Sequence, residues 1–349
     1  MDRRPALAAI MAIVLGVTAC GGSTTSPDPS TGPTHSTGPS PTRSSTASAE
    51  ASASPAVLPR IGGAWTTGPP MPTRRAENAA VAVDGLIYLP GGLDIHGQTL
   101  DTFESLDPAT GTWTTLPKLP EPRDHMGLAV ADGQIYLSGG GLFFTPAVRS
   151  GLWRYDPKAA RWTALAPMPG GRWQHASVAI DGKIYVVGGV VQGPNPRALW
   201  AYDIASGVWR TDLAPMPTER EHLTAVAANG KLIAIGGRKT QQSGAVEEYD
   251  PATNTWRSLP DLPTPRGGSA AGLIGNVIHV AGGENLNAMS TDPQHEALNL
   301  STVTWSSAPD LPTKRHGLAS AVVDGRWYVI GGGRAAGLSV SDVVEVYTP

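Results

Sequence analysis

Four histidines of this chain, His125, His175, His222 and His316, stand one to three residues after an arginine. Glu77, Asp124 and Glu221 lie in the same short segments. Imidazole beside carboxylate is the material of proton transfer and of metal ligation. Taken singly, however, each group reads as polar surface, so neither a metal centre nor a cofactor is expected. The run Gly267-Gly268-Ser269-Ala270-Ala271 has part of the look of a nucleophile elbow. It lacks the last glycine and the strand–turn–helix setting, so no catalytic residue is assigned.

Composition narrows the field. A formal net charge of -3 and a pI of about 6.2 argue against nucleic acid as a partner, which would want a basic stripe. Charged residues make up only 16% of the chain, against 42 glycines and 32 prolines, a balance suited to many short strands and turns. Cys20 is the only cysteine, which rules out an intrachain disulfide and a cysteine-based metal site in the fold.

The elements that must position the histidines repeat in register from Ala64 onward. Tryptophans fall at Trp65, Trp113, Trp162, Trp209, Trp256 and Trp305, spaced by 48, 49, 47, 47 and 49. Arg75, Arg123, Arg172, Arg220, Arg266 and Arg315 each precede by 16 residues a glycine pair that begins at Gly91, Gly139, Gly188, Gly236, Gly282 or Gly331. Each unit reads as four strands. After the arginine comes a small apolar strand such as Ala79-Ala80-Val81-Ala82-Val83, then a tight Asp-Gly or Asn-Gly turn, a strong hairpin signal. The second strand is apolar throughout, as in Ile184-Tyr185-Val186-Val187, and is expected to be buried on both faces. It ends at the glycine pair, where a positive φ or a close backbone is expected. The third ends near Tyr-Asp or its equivalent, and the tryptophan marks the fourth.

The glycine pair, the third-strand tyrosine and the tryptophan six residues after the Asp or Asn resemble the kelch repeat. The likeness covers about 285 residues, Ala64 to Pro349. It implies an all-β fold, a six-bladed kelch-type β-propeller over residues 61–349. Units four and five depart from the pattern at Ile233 and His279, and Leu106 and Leu298 stand where a third-strand tyrosine is usual. The first tryptophan has no strands before it, and the last unit, ending at Tyr347, has no tryptophan after it. The N-terminal strand around Trp65 is therefore expected to complete the C-terminal blade and remove the open edge.

Antiparallel topology puts the loop entering each arginine and the loop leaving each glycine pair at one mouth of the channel. The six arginines, present in every unit, read mainly as structure, as do the glycines and tryptophans. The positions just after them vary, and in animal kelch adaptors side chains at these offsets reach a peptide. By that resemblance Glu77, Asp124, His125, Trp173, Gln174, Glu221, His222 and His316 form the expected ligand-binding mouth. Trp173, Glu221 and His222 are expected to be exposed there, with room on the glycine-rich side of blades five and one. Copper-radical oxidases of the galactose oxidase type also share kelch blades. Their cofactor needs a cysteine that this domain lacks.

The N-terminus carries an address. Arg3 and Arg4 precede an apolar run, Ala6 to Val17, too short for a permanent span. Val17-Thr18-Ala19-Cys20 resembles the bacterial lipobox, which implies a lipoprotein signal peptide over 1–19, cleaved before a lipidated Cys20. Residues 20–60, rich in Ser, Thr, Pro and Gly, read as a disordered tether with a reach of roughly 30–40 Å. The expected protein is extracytoplasmic, lipid-anchored to the bacterial cell membrane and monomeric. Its expected role is that of a cell-surface module binding a protein, peptide or glycan. The alternative is a carbohydrate-active enzyme of the sialic acid mutarotase (epimerase) type, also built on a six-bladed kelch propeller.

Overall fold

The structure is a computed structural model that describes residues 58–349 apart from Pro146 and Pro194. The signal segment, Cys20 and most of the tether lie outside the described residues. The span read as tether does, however, end earlier than expected. Ser307 N donates to Pro59 O and Ile61 N to Ser307 O, both at 2.8 Å, so residues 59–61 already pair with the outer strand of blade five.

The described residues form six four-stranded antiparallel sheets, the blades of a propeller. Blade one runs Val81–Val83, Leu86–Pro90, Phe103–Asp107 and Thr112–Thr115, and the same meander recurs at 127–165, 176–210, 224–259 and 270–307. In the first hairpin Asp84 and Gly85 have φ of 49° and 80°, the paired positive values of a type I′ turn. Blade six takes three strands from the C-terminus and its outer strand, Ala64–Thr67, from the N-terminus. Trp65 faces Tyr347 across that seam, which closes the ring as expected.

The core lies between blades rather than at one centre. Each of six apolar clusters joins two neighbours, as where Val178 and Tyr185 of blade three meet Leu232 and Ala234 of blade four. The second strands are buried on both faces because each is covered by a blade on either side. Blade five, with its departures from the repeat, is as regular a sheet as the others. His279, standing for a tyrosine, packs beside His295, Trp327 and Tyr347.

Three hydrogen-bonded rings bind neighbouring blades. Innermost, the backbone N–H of Glu77, His125, Gln174, His222, Gly268 and Gly317 each reaches the carbonyl of the preceding member, at 2.9–3.0 Å, and the circle closes. Further out, the second glycine of each pair donates to the next blade's arginine carbonyl, at 2.8–3.0 Å, again six times. This close approach explains the glycine pairs. A Cβ on Gly236 would sit 2.9 Å from Arg266 O, and φ there is 60°. Outermost, five tryptophan indoles donate to a carbonyl of the preceding blade, Trp65 to Pro309 among them at 2.7 Å. Trp162 Nε1, the sixth of this repeated set, has no partner.

The six repeated arginines are buried, and none lines an open mouth. Four are paired with a buried glutamate of their own blade's third strand: Arg75–Glu104, Arg220–Glu247, Arg266–Glu296 and Arg315–Glu345, at 2.5–2.8 Å. In blades two and three tryptophan holds that third-strand position. There Arg123 turns to Glu121 and Arg172 stacks 4.0 Å over Trp200. Burial without a carboxylate brings the Arg172 guanidinium down to about 9. The two kinds of site should respond differently to loss of charge. Arg266→Met is expected to cost about 3–5 kcal/mol, because Glu296 is left as an uncompensated buried charge. Arg172→Met strands only the carbonyls of Val186, Gly188 and Ala198 and is expected to cost about 1–3 kcal/mol. Denaturant titration of both variants checks the order, and equal losses would overturn it.

Candidate functional site

The innermost ring forces a left-handed backbone on every blade at the second residue after the arginine. Gly268 and Gly317 meet this demand without strain, with φ of 66° and 60°. Glu77, His125, Gln174 and His222 adopt φ of 52°, 51°, 60° and 51° with full side chains. A left-handed non-glycine residue costs about 1–2 kcal/mol, and such strain clusters at functional sites. Glycine would serve the ring equally well at all six positions. Four blades instead spend strain to place an acid, an amide and two imidazoles around the axis.

Those side chains line an axial funnel of about 420 Å³ including its open end. Glu77 is the hub. His125 Nε2 lies 3.1 Å from Glu77 Oε2, His222 Nε2 lies 4.0 Å from the same oxygen, and His316 Nε2 lies 3.6 Å from Oε1. The ring nitrogens on the far side face oxygen in each case. His125 Nδ1 is 2.7 Å from Asp124, and His222 Nδ1 lies against Glu221. His316 Nδ1 is 3.2 Å from Gly333 O. Arg238 bridges Glu221 at 3.0 Å and Glu284 at 2.7 Å, and its Nη2 also comes to 3.1 Å from His222 Nδ1.

The electrostatics follow from this packing. Burial opposes charge on Glu77, but His125 and the other two imidazoles outweigh it and hold the carboxyl well below its ordinary range. Burial likewise opposes a proton on His125, yet Glu77 and Asp124 on its two sides lift it to about 9. His222 is pushed well below its usual value by burial and by Arg238. At neutral pH the axis therefore holds an ion pair, Glu77 with His125, beside a neutral His222.

One turn deeper, the third residues after the arginines alternate polar and apolar around the same funnel. Met126, Leu223 and Leu318 pack outward against the glycine pairs, as do the His175 ring at Gly139 and the Asn78 amide at Gly331. Asn78, His175 and Ser269 are buried with polar atoms that find no partner: both amide atoms of Asn78, Nδ1 of His175 and Oγ of Ser269. His175 Nε2 is engaged by Ser138 Oγ at 2.9 Å. Buried polar groups almost always have partners, so three orphans on residues that line one cavity mark a place for a ligand or ordered water.

Sequence reasoning found most of this set and misjudged its exposure. Glu77, His125, His222 and His316 converge on the axis, and Gln174 sits on the same ring. Asp124, Trp173 and Glu221 do not line the funnel; they stand behind the imidazoles. Trp173 Nε1 donates to Asp124 at 2.8 Å, and Thr99 Oγ1 reaches the same carboxylate at 2.5 Å. Trp173, Glu221 and His222 are partly buried rather than exposed, and Asp124, His125 and His316 are buried, because paired loops fold over them. The expected room beside the glycines is also reduced, since the Glu77 carboxylate lies against Gly317. Arg238, Glu284 and Asn78 went unnoticed. The first two directly follow a glycine pair, an offset whose residue type changes from blade to blade, and Asn78 occupies an offset at which its neighbours are mostly apolar. The third-strand glutamates had a readable signal: Glu104, Glu247 and Glu296 each stand three residues before the strand-ending Asp or Asn.

Comparisons with known proteins agree with this architecture. The sequence matches the KLHDC2/KLHL20/DRC7 Kelch-repeats domain over residues 63–189 and again over 174–348. No curated protein matches it. Among solved structures it is similar to the structure of YjhT, with 21% identity and a TM-score of 0.69 over 81% of this chain and 97% of that one. Identity at that level carries the fold alone. With its repeats, its six closed blades and family matches that together run from residue 63 to residue 348, this chain belongs to the kelch-repeat family.

Proposed function

We propose that this chain is a cell-surface binding module whose ligand is a small polar group, the terminal sugar of a glycan, seated in the axial funnel. The observation that carries this reading is the trio of orphaned buried polar side chains, Asn78, His175 and Ser269, around one cavity. Sugar hydroxyls both donate and accept, which suits an amide, an imidazole and a hydroxyl set around a ring. An acidic peptide suits the site less well. The repeated arginines are buried, and Arg238 is engaged by two carboxylates. A glycan array probed with the full chain is expected to show hits that Asn78→Ala and Ser269→Ala weaken roughly ten-fold each, the loss of about one hydrogen bond. Hits unaffected by either substitution would move the ligand off the axis. The lipobox supports membrane anchoring through Cys20. Cys20→Ala is expected to shift the protein from the detergent to the aqueous phase on partitioning, and a wild type found wholly in the aqueous phase would overturn the anchor.

A second reading, a sugar mutarotase or epimerase, draws on the ion pair at the axis. Environments that drive a carboxyl and an imidazole apart create an acid and a base in one site. Glu77 and His125 could exchange a proton with an anomeric hydroxyl in the funnel. Proton NMR of any array hit would then show faster anomer exchange with wild type than with Glu77→Gln. Equal rates would leave binding as the sole role.

A further inference from the structure

The axis also carries a set of donors that the glycan-binding reading leaves unused. Glu77, His125 and His222 offer a carboxylate oxygen and two imidazole nitrogens, all within 4.8 Å of one another. His316 adds a third imidazole on the far side of the same carboxylate, its Nε2 3.6 Å from Glu77 Oε1. We propose that a divalent transition-metal ion of the zinc type binds on the propeller axis, held by Glu77, His125 and His222 with His316 as a further ligand. This departs from the expectation, drawn from the sequence, of no metal.

The donor set comes first. Two imidazoles and a carboxylate are a recurrent set for zinc and for non-haem iron, and they leave coordination positions open. Here the three residues themselves line the funnel, so a bound ion would be reachable by a small ligand.

The outer partners point the same way. Metal-bound histidines usually give their other ring N–H to a carboxylate or a carbonyl, which sets the tautomer and aims the free lone pair. His125 has Asp124 there, His222 has Glu221 and His316 has Gly333 O. His222 Nδ1 faces both Glu221 and Arg238 Nη2, and the tautomer that donates to Glu221 is the one that leaves Nε2 free for an ion. For His316 the tautomer is forced, because a carbonyl can only accept. A neutral His316 must therefore turn the lone pair of Nε2 toward Glu77 at 3.6 Å and Glu284 at 3.5 Å. A lone pair facing two carboxylates calls for a positive charge between them, which a proton on Nε2 or a metal ion can supply.

Charge and rigidity complete the case. Glu77, Asp124, Glu221 and Glu284 gather around the imidazoles against two positive charges, Arg238 and the His125 imidazolium, so the cluster favours a cation over an anion. A bound ion would displace the proton of His125 Nε2. The candidate ligands are nearly buried, with side-chain exposures of 13% for Glu77, 4% for His125, 7% for His222 and 2% for His316. Three of them hang from the closed backbone ring. A site held this way need not reorganise to bind.

The metal alone is the probe, so a failed glycan screen would leave this inference standing. The full chain, stripped with chelator and gel-filtered, would be titrated with Zn²⁺ by calorimetry and its metal content measured. One ion per chain is expected. Co²⁺ in its place should give the intense visible absorption of a four- or five-coordinate ion. His125→Asn and His222→Asn are suitable variants, since asparagine tolerates the left-handed backbone that both positions require. Each should abolish stoichiometric binding. Asp124→Asn, which acts only through His125, should weaken Zn²⁺ by about 10–100-fold while the one-ion stoichiometry is kept. Near-UV circular dichroism shows whether the variants are folded. No Zn²⁺ binding and no such Co²⁺ spectrum in the wild type would overturn the site, whatever the variants do. Unchanged affinity in both folded asparagine variants would overturn it as well.

Discussion

Removing residues 61–70 should unfold or aggregate the domain at room temperature, whereas removing 21–55 should leave its melting temperature nearly unchanged. The first deletion strips the strand Ala64–Thr67 from blade six and exposes Val344–Thr348 as an open edge. An unprotected edge is a template for association with other chains. Trp65 goes with it, and Trp65 is a hub. Its ring lies 5.4 Å from His295, 5.7 Å from Trp327 and 5.3 Å from Tyr347, while its indole N–H holds Pro309 of blade five. Tyr347 loses its hydrogen bond to Gly62 O as well. Truncating one large packed aromatic costs about 3–5 kcal/mol, and losing the ladder adds to it, against a typical total of about 5–15 kcal/mol. The second deletion stops short of Pro59 and the pairing with Ser307. Thermal melts of the two proteins decide the matter, and equal shifts would show that the ring closes elsewhere.

Acid should loosen the same joint. His295 Nδ1 faces Pro309 O at 3.1 Å and so carries the proton; its Nε2 then accepts from His279 Nδ1 at 2.9 Å. Both imidazoles are neutral in this arrangement. Burial brings His279 down to about 4, and burial together with the neighbouring His279 and Arg266 brings His295 down to about 3. Folded-state values below the ordinary 6.5 mean that the unfolded chain binds more protons through this window. Stability is therefore complete above about pH 6.5 and is lost as pH falls toward 4 and then 3. At about 1.4 kcal/mol per unit, either histidine could account for about 3–5 kcal/mol, with the pair's joint effect below the sum. His175, also depressed by burial, adds to the same slope. The decline between pH 6.5 and 4.5 is assigned chiefly to histidine, whose ordinary value lies at the top of that window. Urea midpoints measured across this range should fall steadily in the wild type. They should fall less steeply in His295→Gln, which has no proton to gain there. A flat wild-type profile above pH 4.5 would sink the account.

The fold was legible in one dimension because a propeller is a local repeat. Each blade is a meander of consecutive strands, so the Trp, Arg and Gly-Gly intervals record its geometry directly. Closure was legible too, from a first tryptophan without strands before it and a last unit without a tryptophan. Even the choice of Glu77, His125, His222 and His316 came from a local rule, the offset from the arginine. What spacing alone could not supply was the meeting of blades one, two, four and six on a single axis. Glu77 and His316 are far apart in sequence yet 3.6 Å apart in space, brought together only when the ring closes. Burial could not be read either, because Asp124 and His316 are polar in type and become enclosed only when the loop after their blade's glycine pair folds back over them and neighbouring blades close in. The same holds for the partners of the arginines: a carboxylate at Glu296 and an indole at Trp200 occupy one structural position, and only packing shows that they do one job. Sequence alone determined the scaffold and the residues lining its axis. Their state of charge and their hydrogen-bond partners were decided by tertiary contact, since proximity between blades and exclusion of water exist only in the closed ring.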